Sequence, residues 1–220
     1  MGFDFVAGCD EVGVGPLAGP VVAAACVIDP ACISGYRSKK KWYYRVRDSK
    51  TVNEKERGEL VEEILDHCLL FGIGVVDHTE IDRLNIHNAA LLAMQKAIQA
   101  MLAKAKTNPV PQKLILYIDG RFVIKNLSMS KWDIKQQAII DGDASILSIS
   151  AASIIAKVHR DGLMNKLAKE YPMYGFSEHK GYNTKGHREA IVRHGATPYH
   201  RKSFLKNILN IKDYTGQFSN

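Results

Sequence analysis

The stretch Gly8-Cys9-Asp10-Glu11-Val12-Gly13-Val14-Gly15-Pro16 decides how the chain is read. Before it, Phe3, Phe5, Val6 and Ala7 form the pattern of a strand buried on at least one face. Two adjacent carboxylates therefore end a buried strand, which is costly unless a cation or hydrogen bonds compensate. Gly13 and Gly15 have no Cβ, so the backbone can turn sharply there and a sugar or phosphate can approach its N–H groups. Taken alone, the same residues also describe a solvated strand-to-turn junction. A third reading is a dinucleotide fingerprint, because Gly13, Gly15 and Ala18 satisfy Gly-x-Gly-x-x-Gly/Ala after a strand. That fingerprint needs a helix to open at the glycines, whereas Pro16, Gly19 and Pro20 interrupt one and Val21 to Ile28 is β-branched and small. The context is that of strand, turn and strand, which disfavours a dinucleotide-binding oxidoreductase.

The 220 residues fit one domain, or a domain with a modest appendage, and 46% hydrophobic residues allow a sizeable core. No run is long and apolar enough to span a bilayer, and the first residues lack the pattern of a cleaved leader, so the expectation is a soluble cytoplasmic protein. A net charge of +7 and a pI near 9.2 suit a polyanionic partner. Cys9, Cys26, Cys32 and Cys68 show no Cys-x-x-Cys spacing and mostly lie in apolar runs, as small core residues of a protein in a reducing compartment do.

Outward from the opening, Asp29 to Arg47 is polar and basic, with Lys39-Lys40-Lys41 and Trp42-Tyr43-Tyr44. It reads either as solvated surface with its rings packed down or as a place where bases and phosphates meet the protein. Asn53 and Glu56 form a capping box for a helix with Leu60, Ile64, Leu65 and Cys68 on one face. Leu69 to Val76 reads as a strand, and Asn85 to about Ala105 as a long helix ended by Asn108-Pro109. Leu114 to Ile118 is a buried strand running into Asp119-Gly120, and Arg121 to Gln137 reads as a hairpin or loop. Ala138-Ile139-Ile140 leads into Asp141-Gly142-Asp143. A helix rich in Ala and Ile follows from Ser148 to about Lys169, and the tail holds a short helix ending at His194 with Gly195 as its cap.

Asp10, Glu11, Asp119 and Asp143 each end an apolar segment, and in an α/β sheet such strand ends gather on one edge where ligands bind. Four acids there repel one another unless divalent cations neutralise them. Oxygen-only ligands suit Mg²⁺ or Mn²⁺, and two such ions about 4 Å apart clamp the attacking and leaving oxygens of a phosphodiester. The chemistry expected from this set is metal-assisted phosphodiester hydrolysis. Asp161, beside Arg160 in a helical pattern, reads as an ion pair first and a ligand second, and Asp141 competes with Asp143.

The run from Asp10 through Gly15-Pro16-Leu17-Ala18-Gly19-Pro20-Val21-Val22 resembles the opening of a type 2 ribonuclease H, ribonuclease HII. The resemblance continues in order through Asp48-Ser49-Lys50, Asn85-Ile86, Leu91-Leu92-Ala93-Met94, Ile118-Asp119-Gly120, Gly142-Asp143-Ala144, Ala151 to Val158, Arg160-Asp161, Lys180-Gly181-Tyr182 and His200-Arg201. It implies a ribonuclease H-like mixed sheet flanked by helices over residues 1–170, with a small helical carboxy-terminal part, 171–220, completing the substrate site. It also implies a monomer that cleaves the RNA strand of RNA–DNA hybrids with Mg²⁺ or Mn²⁺ and nicks 5′ of ribonucleotides embedded in duplex DNA. Asp10, Glu11, Asp119 and Asp143 take the metal positions, in agreement with the argument from strand ends. Tyr182 takes the position that packs on the junction sugar and bonds its 2′-OH, the group that separates RNA from DNA. Gly13, Val14 and Gly15 line the same nucleotide, and Lys50 and Lys180 are candidate phosphate contacts. Outside that resemblance, Tyr182 is an ordinary half-buried ring and an isolated lysine faces solvent.

Two positions depart from the family pattern. Val14 stands where the family has Arg or Lys between the glycines, and Ser145-Ile146 stands where it has Lys-Ser, so two positive charges near the cleavage site are missing. The rival readings are a ribonuclease HIII-like hybrid nuclease without junction preference and a catalytically silent hybrid-binding protein.

Overall fold

The computed structural model describes residues 2–33, 42–46, 53–105, 112–125, 127 and 129–205. Strand β1 (Phe5–Val12) pairs antiparallel with β2 (Val21–Ile28), as the strand-turn-strand reading requires. Two short elements follow, a 3-10 turn (Pro30–Ile33) and α1 (Trp42–Val46), whose Trp42 and Val46 are buried; Lys39-Lys40-Lys41 and Asp48-Ser49-Lys50 lie outside the described residues. Helix α2 (Glu54–Asp66) opens at Asn53, whose side chain accepts from the Glu56 N–H. Its buried stripe is Leu60 and Ile64; Cys68, expected on that face, instead begins β3 (Cys68–Val76), because the helix ends at His67.

The long helix expected from Asn85 is present, and a short helix that the sequence reading did not include precedes it. Asp77 caps a short α3 (His78–Leu84), and Asn85, in a left-handed conformation with φ 68°, caps α4 (Ile86–Leu102) through the Asn88 N–H. Strand β4 (Gln112–Asp119) then runs parallel to β1, and β5 (Trp132–Ile139) parallel to β4. The expectation of a hairpin or loop up to Gln137 is therefore corrected: most of β5 lies in that segment. After it come α5 (Gly142–Ser145), α6 (Leu147–Glu170), a 3-10 turn (Pro172–Tyr174), α7 (Phe176–His179), α8 (Lys185–His194) and α9 (Lys202–Leu205).

The sheet order is β3-β2-β1-β4-β5. Side chains alternate across each strand, so β2, buried throughout, feeds two cores at once. Ala23 and Ala25 join Leu114, Leu116 and Ile118 beneath α4, while Val22, Ala24 and Cys26 join Ile154 and Ile155 of α6 and Leu60 and Ile64 of α2. A third cluster joins Met164 and Leu167 of α6 to Phe176, Ile191 and Leu205 and to Leu17 and Ala18 of the β1–β2 turn. The carboxy-terminal helices thereby brace the glycine turn. The four cysteines are free, and among the described residues no helix is long and apolar enough to cross a membrane.

Candidate active site

Because β1, β4 and β5 are parallel, their carboxyl ends share one edge of the sheet. Asp10 and Glu11 lie in the last turn of the pleat of β1, Asp119 is the final residue of β4, and Asp143 follows β5 in α5. All four line a single cleft of about 410 Å³, together with Val12, Arg57, Ser153, Lys157 and Tyr182. Asp119 is aimed by the Gly142 N–H, which donates to its Oδ1 at 2.8 Å and so ties the end of β4 to the start of α5. The carbonyl oxygen of Asp143 accepts from Ser150 Oγ at 2.5 Å, fixing α5 against α6.

The electrostatics of this cleft are those of an acid cluster short of positive charge. Asp10 is 5% exposed and accepts from the Glu11 N–H at 2.7 Å and from Ser153. Burial, reinforced by the charges of Glu11 and Asp119, still pushes its pKa up to about 8. Burial and then Asp119 push Glu11 up to about 7, and Glu11 Oε2 is buried with no hydrogen-bond partner. Lys157 brings a cation to the wall, bonded at 2.8 Å to Asp161. Among the described residues no three His, Cys, Asp or Glu side chains form a finished metal cage. The cleft instead offers an oxygen-only donor set with an unsatisfied carboxylate oxygen, which suits a hard divalent cation.

The second wall is the turn Gly13 to Gly19. Gly13 has φ 91°, a conformation that favours glycine, and a Cβ there would overlap the Arg160 guanidinium. Two buried arginines hold this turn. Arg201 donates to the carbonyls of Gly13 (2.6 Å), Val14 (3.0 Å) and Gly19 (3.0 Å), and Arg160 to those of Pro20 (2.9 Å), Lys180 (3.0 Å) and Ala18 (3.3 Å). Tyr182 stands at the rim, its ring edge 4.0 Å from where a Gly15 Cβ would be and its side chain 39% exposed. Val14 is exposed beside it.

Asp161 keeps its reading as an ion pair with a different partner, and Lys180 is placed away from where the sequence reading put it. Asp161 pairs with Lys157 one helical turn away, since the donors of Arg160 are taken by backbone carbonyls. Lys180 does not reach toward phosphate: it is buried, and its Nζ is held by Ser177 O (2.6 Å), Asn165 (2.7 Å) and Glu54 (3.2 Å). Lys50 falls outside the described residues. Arg57, Ser153 and Lys157 of the cleft, and the bracing role of Arg160 and Arg201, were not singled out from the sequence. An arginine inside an otherwise apolar helical stripe was the available signal for Arg160.

A mixed sheet with β1, β4 and β5 parallel, helices on both faces and acids on one edge is the architecture of the ribonuclease H class. The solved ribonuclease H2 of Pyrococcus horikoshii OT3 has the same fold, with TM-score 0.69 and 26% identity over 91% of this chain and 95% of that one. The family model for ribonuclease HII matches residues 7–207. Ribonuclease HII of Clostridioides difficile is 45% identical over 208 residues, 94% of this chain and 72% of that protein. That of Caldicellulosiruptor bescii is 42% identical over 210 residues, 96% of this chain and 91% of that protein. The chain belongs to the ribonuclease HII family and is a ribonuclease H.

Proposed function

We propose that the protein is an endonuclease that cleaves the RNA strand of RNA–DNA hybrids and nicks 5′ of ribonucleotides embedded in duplex DNA, using two Mg²⁺ or Mn²⁺ ions. The observation that supports this reading is the convergence of Asp10, Glu11, Asp119 and Asp143 on one cleft whose rim carries Tyr182. Held by those four carboxylates, divalent cations supply Lewis acidity and charge neutralisation at the scissile phosphate. The chain's own groups do the rest. Gly142 N–H orients Asp119, Ser153 orients Asp10, and the buried walls of β1 keep both acids from turning to solvent. The exposed ring of Tyr182 packs on the sugar and its hydroxyl meets the 2′-OH, while the braced N–H groups of Gly13 and Gly15 approach the same nucleotide.

Asp119→Asn tests the assignment, because the amide keeps an oxygen for the Gly142 N–H and removes only the ligand's charge. Outer-shell changes alone cost about 10–100-fold, so hybrid cleavage in Mg²⁺ should fall by more than about a hundredfold while hybrid binding and melting temperature hold. Near-normal turnover by the folded variant would remove Asp119 from the metal site. A wild-type protein that cuts a uniform hybrid but ignores a single embedded ribonucleotide would leave the nuclease reading and end the junction reading.

A further inference from the structure

Behind Tyr182 lie histidines that neither the carboxylate cleft nor the sugar contact uses. His187 and His200 are 0% and 2% exposed, and their partners leave each ring a single neutral tautomer. The Thr197 N–H can only donate, and it faces His200 Nδ1 at 2.9 Å, so that nitrogen carries no hydrogen. The proton of His200 is then on Nε2, 3.1 Å from Nε2 of His187. That second nitrogen must accept, which puts the proton of His187 on Nδ1, 2.9 Å from the carbonyl oxygen of Tyr182. Every donor meets an acceptor, and an added proton on His187 would set two N–H groups against each other. Burial lowers the pKa of His187 to about 4 and of His200 to about 3, so both rings are neutral at neutral pH. His179, stacked on His187 with ring centroids 4.4 Å apart, accepts from the Gly181 N–H at 3.2 Å.

We infer that His187 and His200 are positioning residues, a relay of single tautomers running from Thr197 to the Tyr182 carbonyl that sets the angle at which the Tyr182 ring meets a ribose. The ring is exposed on one side and has the Arg160 guanidinium 5.7 Å from its centroid on the other, so its angle follows from that contact and from the backbone that carries it. The relay also keeps the two walls in register. His200 bridges to Ala18, and the Leu17 N–H donates to the Gly181 carbonyl at 2.8 Å, so the glycine turn and Tyr182 hang from one frame. The inference rests on the proposed sugar contact of Tyr182.

The test measures the ratio of kcat/KM on a DNA duplex with one ribonucleotide to kcat/KM on a uniform hybrid, with ¹⁵N NMR of the wild-type imidazoles. At neutral pH the spectra should show His187 protonated on Nδ1 and His200 on Nε2; the reverse tautomers, or charged rings, overturn the relay whatever the variants do. His187→Leu removes one of the two donors to the Tyr182 carbonyl, the other being the Thr184 N–H at 2.8 Å, and should lower the ratio by up to about tenfold, since one neutral hydrogen bond is at stake. His187→Asn, whose amide N–H can reach the position of Nδ1–H, should restore most of it and remains informative if the leucine variant fails to fold. An unchanged ratio in folded His187→Leu, or a ratio in folded His187→Asn as low as in the leucine variant, overturns the inference. Tyr182→Ala separates the levels. If Tyr182→Ala lowers the ratio and His187→Leu does not, only the relay is wrong; if Tyr182→Ala leaves the ratio unchanged, the sugar contact fails and the relay's role falls with it.

Discussion

Tyr182 and Val14 are the residues where the exposed surface of the site can be tuned without touching its frame. Tyr182 is 39% exposed and its carbonyl, not its ring, is tied to His187, so Tyr182→Ala removes little packing. Its melting temperature should stay within a few degrees of wild type, while cleavage at a single ribonucleotide falls by about tenfold or more, as expected when a polar contact to the 2′-OH is lost. A parallel loss of stability and activity would mark the ring as a packing element. At Val14 the side chain is exposed while its carbonyl is fixed by Arg201, so an arginine can be introduced without disturbing the turn. Val14→Arg should steepen the log–log salt dependence of binding by roughly one unit and favour the single-ribonucleotide substrate over the uniform hybrid. If neither changes in folded, active enzyme, position 14 does not face nucleic acid. The sequence singles these residues out because each sits in a short motif with its own chemistry, and the structure leaves both side chains exposed. The burial of Lys180 is not legible, because nothing local reveals that Glu54, far away in sequence, and Asn165 close over its ammonium. Arg201 lies in a family motif, yet its three backbone carbonyl acceptors exist only once the tail folds over the β1–β2 turn.

Element by element, the strands and helices with a strong period were readable and the ones completed by side-chain mimicry were not. Strand β5 has outward Asp133, Lys135 and Gln137, as an edge strand should, but its inward face contains Gln136, which breaks the apolar alternation. The structure explains the exception: the Gln136 amide accepts from the Ile124 N–H and donates to the Ile124 carbonyl, both at 3.0 Å, standing in for a neighbouring strand. Helix α3 is similarly hidden, because its boundary with α4 rests on Asn85 adopting a positive φ without glycine. The contact between β3 and α4 yields a sharper prediction. A Cβ on Gly74 would overlap the Ala93 carbonyl of α4, and one on Gly72 would overlap that of Ala97. Gly74→Ala must therefore push a whole helix outward and should destabilise by about 1–3 kcal/mol or more. Gly162, exposed within α6 with open space around its Cβ position, should behave oppositely, Gly162→Ala stabilising by about 0.5–1 kcal/mol. Denaturant midpoints of the two variants should shift in opposite directions; shifts of the same sign would contradict the close approach of α4 to the sheet.

Across the whole molecule, two buried pairs of opposite character carry the largest resolved carboxylate and histidine contributions to the dependence of stability on pH. Folding raises the pKa of Asp10 from 3.8 to about 8 and of Glu11 from 4.5 to about 7. Between those limits the folded chain holds protons that the unfolded chain has released, so stability falls as pH rises. Folding lowers His187 from 6.5 to about 4 and His200 from 6.5 to about 3. Below 6.5 the unfolded chain therefore binds protons that the folded chain refuses, and stability falls as pH falls. From about pH 4.5 to 6.5 the two effects oppose each other, which gives a plateau. Above 6.5 the carboxylates of the cleft set the slope, and below about 4 the histidine linkage is joined by Glu54 and Asp77, whose hydrogen bonds lower their pKa in the folded chain. The melting temperature of metal-free protein should accordingly decline from pH 6.5 to 8 and again below pH 4. A divalent cation binds the ionised carboxylates of the folded state and adds RT ln(1 + [L]/Kd), about 2.7 kcal/mol at a hundred times Kd. Mg²⁺ should thus lift the alkaline branch and leave the acid branch where it is. Asp10→Asn should flatten the alkaline branch and lose most of the Mg²⁺ response, whereas His200→Gln should flatten only the acid branch. A metal-free melting temperature that rises steadily from pH 6 to pH 8 would show that Asp10 and Glu11 are not an unneutralised pair, and the case for a cation in this cleft would lose its physical basis.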